Sequence, residues 1–305
     1  MKKLFLSLLM FCCSVHATEI VKVVVPFAPG GATASLALMW IDRLNTTLQK
    51  DDIKLVPDYK PGGGGQVGVN FVTRQSSDEL VLLHTSSQII TTYVVASPAW
   101  IMHQDLVPLA YTGTSPMVLV TSKNSALSTV KSIVDRSRQQ PVSLGHAGQL
   151  SGGWLAAISL QKGIGVDFNL IGYKGLAPVQ IDVVGGHVDV MIDFISTTIQ
   201  NINTGNLKPI LVLTDNRLPE LPQVPTYTEL GRGTFPTPVW WGIYHNRTDK
   251  IKTLTKVQQA IATAQRDTEF VQSLSDAGFS IKKVDIKRYV DEQITYIKRL
   301  NITVN

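Results

Sequence analysis

Short runs of consecutive apolar residues alternate with stretches whose apolar positions recur every three or four residues, through most of the 305-residue chain. The runs at 20–26, 53–59, 79–84, 108–121, 142–145, 169–173, 188–194 and 208–214 predict strands. Several, such as Val23-Val24-Val25 and Ile210-Leu211-Val212-Leu213, lack polar alternation, the pattern of strands covered on both faces. In 34–50, Leu36, Trp40, Leu44 and Leu48 stand four apart and predict a helix. A second helix over 151–163 has Ser151 as its expected N-cap and Gly163 as its expected stop. Strands alternating with helices predict an α/β fold built on mainly parallel sheets.

Two places look like crossings between domains. Thr112-Gly113-Thr114-Ser115-Pro116 interrupts a long extended stretch, and Pro236-Thr237-Pro238-Val239-Trp240-Trp241 opens another before a helical C-terminus. The chain is therefore read as one lobe from 18–118 and 238–305, and a second from 119–237. Residues 1–17 read as a leader cleaved near Ala17: Lys2 and Lys3, an apolar Leu4–Cys13, then Val15-His16-Ala17. Both cysteines, Cys12 and Cys13, fall within it, so the remaining chain is expected to have neither disulfide nor thiol chemistry. Removing Lys2 and Lys3 leaves 26 basic against 23 acidic residues, lowering the formal charge from +5 to +3. No basic run accompanies that excess, which argues against nucleic acid as a partner.

Two glycine-rich turns each follow a predicted strand and precede a helical stretch: Pro26-Phe27-Ala28-Pro29-Gly30-Gly31 and Lys60-Pro61-Gly62-Gly63-Gly64-Gly65. Consecutive N–H groups in such turns, together with a helix N-terminus, form an anion-binding concavity. Gly63, Gly65 and Gly68 also match G-x-G-x-x-G, but the next strand ends His84-Thr85-Ser86-Ser87 without the carboxylate a dinucleotide ribose needs. Other polar strand ends occur at 145–153 and at Tyr173-Lys174-Gly175; in open parallel sheets, ligands bind beyond such ends. Catalysis has little support. The histidines at 84, 103, 146, 187 and 245 are scattered, with no metal-ligand spacing, and Gly148-Gln149-Leu150-Ser151-Gly152 misses the nucleophile elbow. Asp193, deep in an apolar strand, reads either as a hydrogen-bonded structural residue or as a pocket acceptor. Trp240-Trp241 reads as core or interdomain packing.

These residues, taken in order, resemble the periplasmic solute receptors of tripartite tricarboxylate transporters, the Bug or TctC-like family. The motifs are 25–31; 60–65; Tyr173-Lys174-Gly175 with Pro178; Gly185-Gly186-His187-Val188-Asp189; Leu221-Pro222-Gln223-Val224-Pro225-Thr226 with Glu229; and Trp241-Gly242. The resemblance implies a two-lobed type II periplasmic-binding fold, each lobe a mainly parallel sheet flanked by helices. It also implies a small carboxylate held between the lobes. The residues it assigns to the ligand are Phe27, Ala28, Pro29, Gly30 and Gly31; Gly62, Gly63, Gly64 and Gly65; Ser86 and Ser87; His146, Gly148 and Ser151; and Tyr173 and Lys174, with Asp193 as a further candidate.

Four positions depart from the family pattern. Ala34 stands where an aspartate is usual, Gly63 replaces an alanine, Trp154 replaces a histidine, and Asp78-Glu79-Leu80 replaces Asp-Gly-Tyr. Without the aspartate, an amino-acid ligand is disfavoured. The leading expectation is a monomeric periplasmic receptor, with neither cofactor nor metal, that delivers an organic carboxylate to membrane transporter subunits. One alternative is a carboxylate receptor that signals to a sensor kinase; another is an exported hydrolase using Ser151 and His146.

Overall fold

The computed structural model describes residues 17–235, 239–281 and 285–302. The expected leader before Ala17 and the Pro236-Thr237-Pro238 crossing lie outside the described residues. The first sheet uses β1 (Glu19–Val25), β2 (Ile53–Tyr59), β3 (Val81–Ser86) and β4 (Leu106–Thr114). These are linked by α1 (Ala32–Leu48), α2 (Gln66–Thr73) and α3 (Gln88–Ala96). The second sheet uses β5 (Met117–Ser122), β6 (Val142–His146), β7 (Phe168–Gly172), β8 (Val190–Phe194) and β9 (Leu207–Val212). Its helices are α4 (Val130–Ser137), α5 (Gly152–Ile164), α6 (Leu176–Val184) and α7 (Ile195–Asn203). The chain then returns to the first sheet with β10 (Trp240–Asn246) and continues through α8 (Ile251–Ala264), α9 (Thr268–Asp276) and α10 (Ile286–Leu300).

Strand orders are β2-β1-β3-β10-β4 and β7-β6-β8-β5-β9, so the second sheet repeats the arrangement of the first. The expectation of mainly parallel sheets needs refinement, because each sheet is mixed. β1 is parallel to β2 and β3, whereas β10 is antiparallel to β3 and β4. Likewise β6 is parallel to β7 and β8, and β5 is antiparallel to β8 and β9. The physical reason is the crossing. A chain arriving from the other lobe enters at the strand ends that face that lobe, so its first strand must run back against its neighbours.

The extended stretch at 108–121 proves to be two strands in different sheets, separated at Ser115-Pro116. Pro116 has no N–H for a ladder, and its carbonyl accepts instead from the Ile195 N–H at 2.9 Å. The four-residue spacing in α1 is packed as its pattern requires: Leu36, Trp40, Leu44 and Leu48 are at most 1% exposed. Trp40 Nε1 donates to the Thr112 carbonyl at 3.0 Å, so its polar edge is satisfied within the core. Truncating such a residue to alanine costs about 3–5 kcal/mol. Helix α5 begins at Ser151 as expected but ends at Gly165 (φ 70°), beyond Gly163. Gly163 is small for a packing reason, since a Cβ there would lie 2.1 Å from the Tyr227 hydroxyl.

Trp240 and Trp241 are buried, as a packing role requires. The Trp241 indole donates to Thr33 Oγ1 at 2.8 Å, and its ring lies 4.8 Å from that of Phe194. That contact joins the two lobes beneath the space between them.

Candidate functional site

In the first lobe, Lys60 N–H donates to the Val25 carbonyl at 2.9 Å and holds the two glycine turns side by side. Gly68 is small because of that proximity, since a Cβ there would lie 2.7 Å from Pro26 Cβ, whereas Gly65 is set by its φ of 97°. The G-x-G-x-x-G spacing thus serves turn geometry and packing between turns, with no need of a dinucleotide. Gly62, Gly63, Gly64 and Gly65 all have positive φ (133°, 55°, 60° and 97°), a run that side-chain-bearing residues strongly resist. Gly31 is the N-cap of α1, with φ −95° and ψ 167°. No side chain caps α1, α2 or α3, and none has an acidic residue in its first turn. Among the described residues, the N–H groups of Phe27, Ala28, Gly30, Gly31, Gly62, Gly63 and Gly64 have no acceptor within the protein. The positive ends of three helices and these free donors therefore face one region.

The third turn adds Ser86, whose hydroxyl has no protein partner among the described residues. It also adds Gln88, which sequence reading did not single out. Gln88 Nε2 donates to the Gly64 carbonyl and pins the peptide that follows Gly64. The only available signal was its position, one residue past two serines at a strand end.

The second lobe treats its turns differently. His146 is buried, and its Nδ1 accepts from the Gly148 N–H at 3.2 Å; burial pulls its pKa below the ordinary histidine value. Ser151 Oγ caps α5 by accepting from the Trp154 N–H at 3.1 Å, and Ser151 N–H donates to the Gly148 carbonyl at 3.2 Å. Tyr173 N–H donates to the His146 carbonyl at 2.9 Å, while its hydroxyl donates to Asp182 Oδ2 at 2.5 Å. That carboxylate partner pushes the Tyr173 pKa up to about 12. Gly175 starts α6 without a side-chain cap.

A cavity of about 940 Å³ lies between the lobes, within the size range of small-molecule sites. Phe27, Ala28, Pro29, Gly31, the four glycines 62–65, Ser86, Gly148, Ser151, Tyr173 and Lys174 line it. Gly30 is exposed beside the cavity, whereas Ser87, His146 and Asp193 are buried behind its surface. Ser87 is tied to β10, its N–H donating to the Trp240 carbonyl at 2.7 Å. Asp193 accepts from the Phe194 N–H (2.7 Å), the Thr197 hydroxyl (2.8 Å) and Gln180 Nε2 (2.7 Å), so it joins α6 and α7 to β8. Burial raises its carboxyl pKa. Ala34 is buried against Val25, Ala37 and Tyr59, away from the cavity. Lys174 supplies the one charged side chain of the lining among the described residues, and no carboxylate faces the cavity.

The two walls meet at one point. A Cβ at Gly64 would lie 2.6 Å from the Gln149 carbonyl oxygen and 3.4 Å from Leu150 Cβ. Leu150 adopts φ 65°, unusual for a branched apolar residue, and packs in one cluster with Trp154, Val24 and Trp240. Among the described residues no group of three metal-ligating side chains comes together, and no helix is long and apolar enough to cross a membrane.

The chain matches the family described as "Tripartite tricarboxylate transporter family receptor" over residues 47–304. Protein BugT of Bordetella pertussis is 26% identical over 263 residues, covering 85% of this chain and 80% of that protein. Among solved structures, R. palustris Rpa4515 with adipate has a TM-score of 0.84 at 24% identity, covering 93% of this chain and 96% of that one. MatC from Rhodopseudomonas palustris with bound malate has a TM-score of 0.83 at 23% identity, covering 92% and 98%. At these identities the structural likeness speaks to the fold, which is the two-lobed architecture described above.

Proposed function

The chain belongs to the tripartite tricarboxylate transporter receptor family, and from that premise we propose that its interlobe cleft captures a small organic carboxylate. The carboxylate docks on the first lobe, on the N–H groups of Phe27, Ala28, Gly30, Gly31 and Gly62 to Gly64, with Ser86 as a hydroxyl donor. The observation that carries this reading is the convergence of three uncapped helix starts and unpaired turn N–H groups on a cavity without a carboxylate of its own. Each hydrogen bond to a charged group contributes about 1.5–3 kcal/mol net. Four to six of them offset the cost of association and leave the ~8 kcal/mol of a micromolar complex, without an arginine. Adipate and malate, held by the two solved relatives, support a carboxylate as the ligand class.

The remainder of the proposal follows from family membership and the N-terminal pattern. The leader directs export and is removed near Ala17. The monomeric receptor, with lobes at 18–118 plus 238–305 and at 119–237, closes over its ligand in the periplasm. It then presents the ligand to membrane transporter subunits. Receptor binding, with no chemical turnover, is the family's activity, and the internally bonded Ser151 and His146 fit that role. The test is a thermal-shift screen of mono-, di- and tricarboxylates, amino acids and nucleotides. At about 100 times its Kd a ligand adds ~2.7 kcal/mol of stability, a rise of several degrees in Tm. A shift with carboxylates supports the proposal, and a shift with nucleotides alone defeats it.

A further inference from the structure

Both walls of the cavity are rich in hydrogen-bond donors. On the first lobe these are the free N–H groups of the two glycine turns. On the second, the N–H groups of Ala147, Gln149, Gly152, Gly153 and the uncapped start of α6 likewise have no acceptor among the described residues. Side-chain acceptors are scarce by comparison. The Ser151 hydroxyl already accepts from the Trp154 N–H, the Thr33 hydroxyl accepts from the Trp241 indole, and the Tyr173 hydroxyl is turned to Asp182. Ser86 keeps a free hydroxyl, but a hydroxyl beside a carboxylate turns its proton toward it. The amides of Gln66 and Gln149 are more exposed to water. Gln88 is the exception. It is the first residue of α3, is 5% exposed, and lines the cavity. Its Nε2 donates to the Gly64 carbonyl, which fixes the amide's orientation, because the reverse would set two carbonyl oxygens against each other. Its Oε1 accepts from no group among the described residues. An amide oxygen can only accept, so in a buried setting it carries a cost until a donor reaches it.

We propose that Gln88 determines specificity: its Oε1 accepts from a hydroxyl on the carbon next to the bound carboxylate, so the receptor prefers 2-hydroxy acids to their deoxy counterparts. The inference rests on the carboxylate reading above and narrows it. Gln88 holds the carbonyl of Gly64, whose N–H is one of the carboxylate's donors, so the amide stands at the carboxylate end of the cavity. An acceptor there repels a carboxylate oxygen and calls for a ligand donor beside it. A 2-hydroxyl supplies that donor without adding charge. An ammonium would also donate, but its charge would face a lining without a carboxylate. A deoxy acid strips Oε1 of water and offers nothing in return, and a site built to bond a hydroxyl discriminates strongly against the analogue that lacks it. The Nε2 bond to Gly64 positions the turn for hydroxy and deoxy acids alike, so the Oε1 bond alone tells them apart.

Calorimetric titration of the purified chain tests this with matched acids, each hydroxy acid in both enantiomers. The pairs are lactate and propanoate, 2-hydroxybutanoate and butanoate, and malate and succinate, with alanine and aspartate as ammonium analogues. Within a pair, the better enantiomer of the hydroxy acid is expected to bind at least ~10-fold more tightly than the deoxy acid. Gln88→Met and Gln88→Leu keep the bulk of the side chain and lose its amide. In both variants the two members of a pair should weaken together as the Gly64 peptide is released, and their ratio should fall to about 2-fold or less. The ratio is read within one protein, so a loss of stability in a variant leaves it interpretable. A smaller ratio in the unsubstituted chain, a ratio that survives both substitutions, or tighter binding of the amino acids would overturn the role of Gln88 and leave the carboxylate receptor standing. Binding of none of these acids would remove the carboxylate reading itself, and this inference with it.

Discussion

The turns after β1 and β6 occupy equivalent places in two sheets of the same order, yet the protein itself bonds more of the N–H groups in the second. At 26–31 the helix start is a bare glycine with donors open to the cleft. At 146–151 a histidine ring, a serine hydroxyl and a carbonyl take up the N–H groups of Gly148, Trp154 and Ser151. Helices that start away from the cleft follow the second pattern more often: Thr129 caps α4 in a reciprocal box, and Asp267 and Asp285 cap α9 and α10. A helix left uncapped forgoes stability, so three uncapped starts side by side in the first lobe, with that of α6 across the cavity, mark a place where an external anion completes the structure.

The sharpest way to break the comparison is to give α1 the cap it lacks. Gly31 has N-cap backbone geometry, and its Cβ position is open, with nothing within 4 Å. Gly31→Asp is expected to add about 0.5–1 kcal/mol of stability through capping and the helix dipole. It should also weaken carboxylate affinity at least ~100-fold by occupying the donors with a like charge. Paired melting and calorimetric measurements check both signs; unchanged affinity would take α1 out of the site.

Next in size is Gly64→Ala set against Gly165→Ala. Both glycines have left-handed φ (60° and 70°), but Gly165 has nothing within 4 Å, whereas a Cβ at Gly64 meets the opposite wall. The two variants share a backbone cost of about 1 kcal/mol. Only Gly64→Ala is expected to lose affinity as well, by roughly 10- to 100-fold, through both the donors and the lobe contact. Equal affinities in the two variants would separate the Gly64–Gln149 contact from ligand binding.

Acidification tests the buried histidine under the first lobe's turns. His84 is fully buried and burial pulls its pKa down to about 3, with Nε2 3.0 Å from the Thr112 hydroxyl. Below the ordinary value near 6.5 the unfolded chain takes up a proton that the folded chain refuses, so stability is complete above that pH and falls below it. This group alone should remove about 2 kcal/mol between pH 6.5 and pH 5. His146 and His245, also shifted down by burial, add in the same direction, while Asp193, shifted up, acts in the opposite one. Melting curves of His84→Asn across that range should show a shallower slope; an identical slope would assign the loss to other groups.

The smallest effect is expected from Ser151→Ala, which removes the cap of α5. Stability should fall by about 1 kcal/mol while affinity stays within about 3-fold. A loss of affinity without loss of stability would make the second lobe's turn a ligand donor and erase the contrast between the lobes.

Periodicity alone determined most of the strands and the packing face of α1, because burial on one stripe or both faces of an element leaves a local apolar pattern. The two glycine turns were equally legible, since four adjacent positive-φ positions require glycine whatever surrounds them. Other features depended on distant partners. Nothing near 108–121 says that β4 and β5 part company into different sheets, or that β5 runs against its neighbours; the position of the crossing decides that. Gly163 reads as a helix stop until Tyr227 is packed against it. Ser87, His146 and Asp193 stand at or beside strand ends like their cleft-lining neighbours, and only the completed hydrogen-bond network shows that their polar atoms already have partners. Residue type determines what a side chain can bond, and tertiary structure decides which bonds are already made before a ligand arrives.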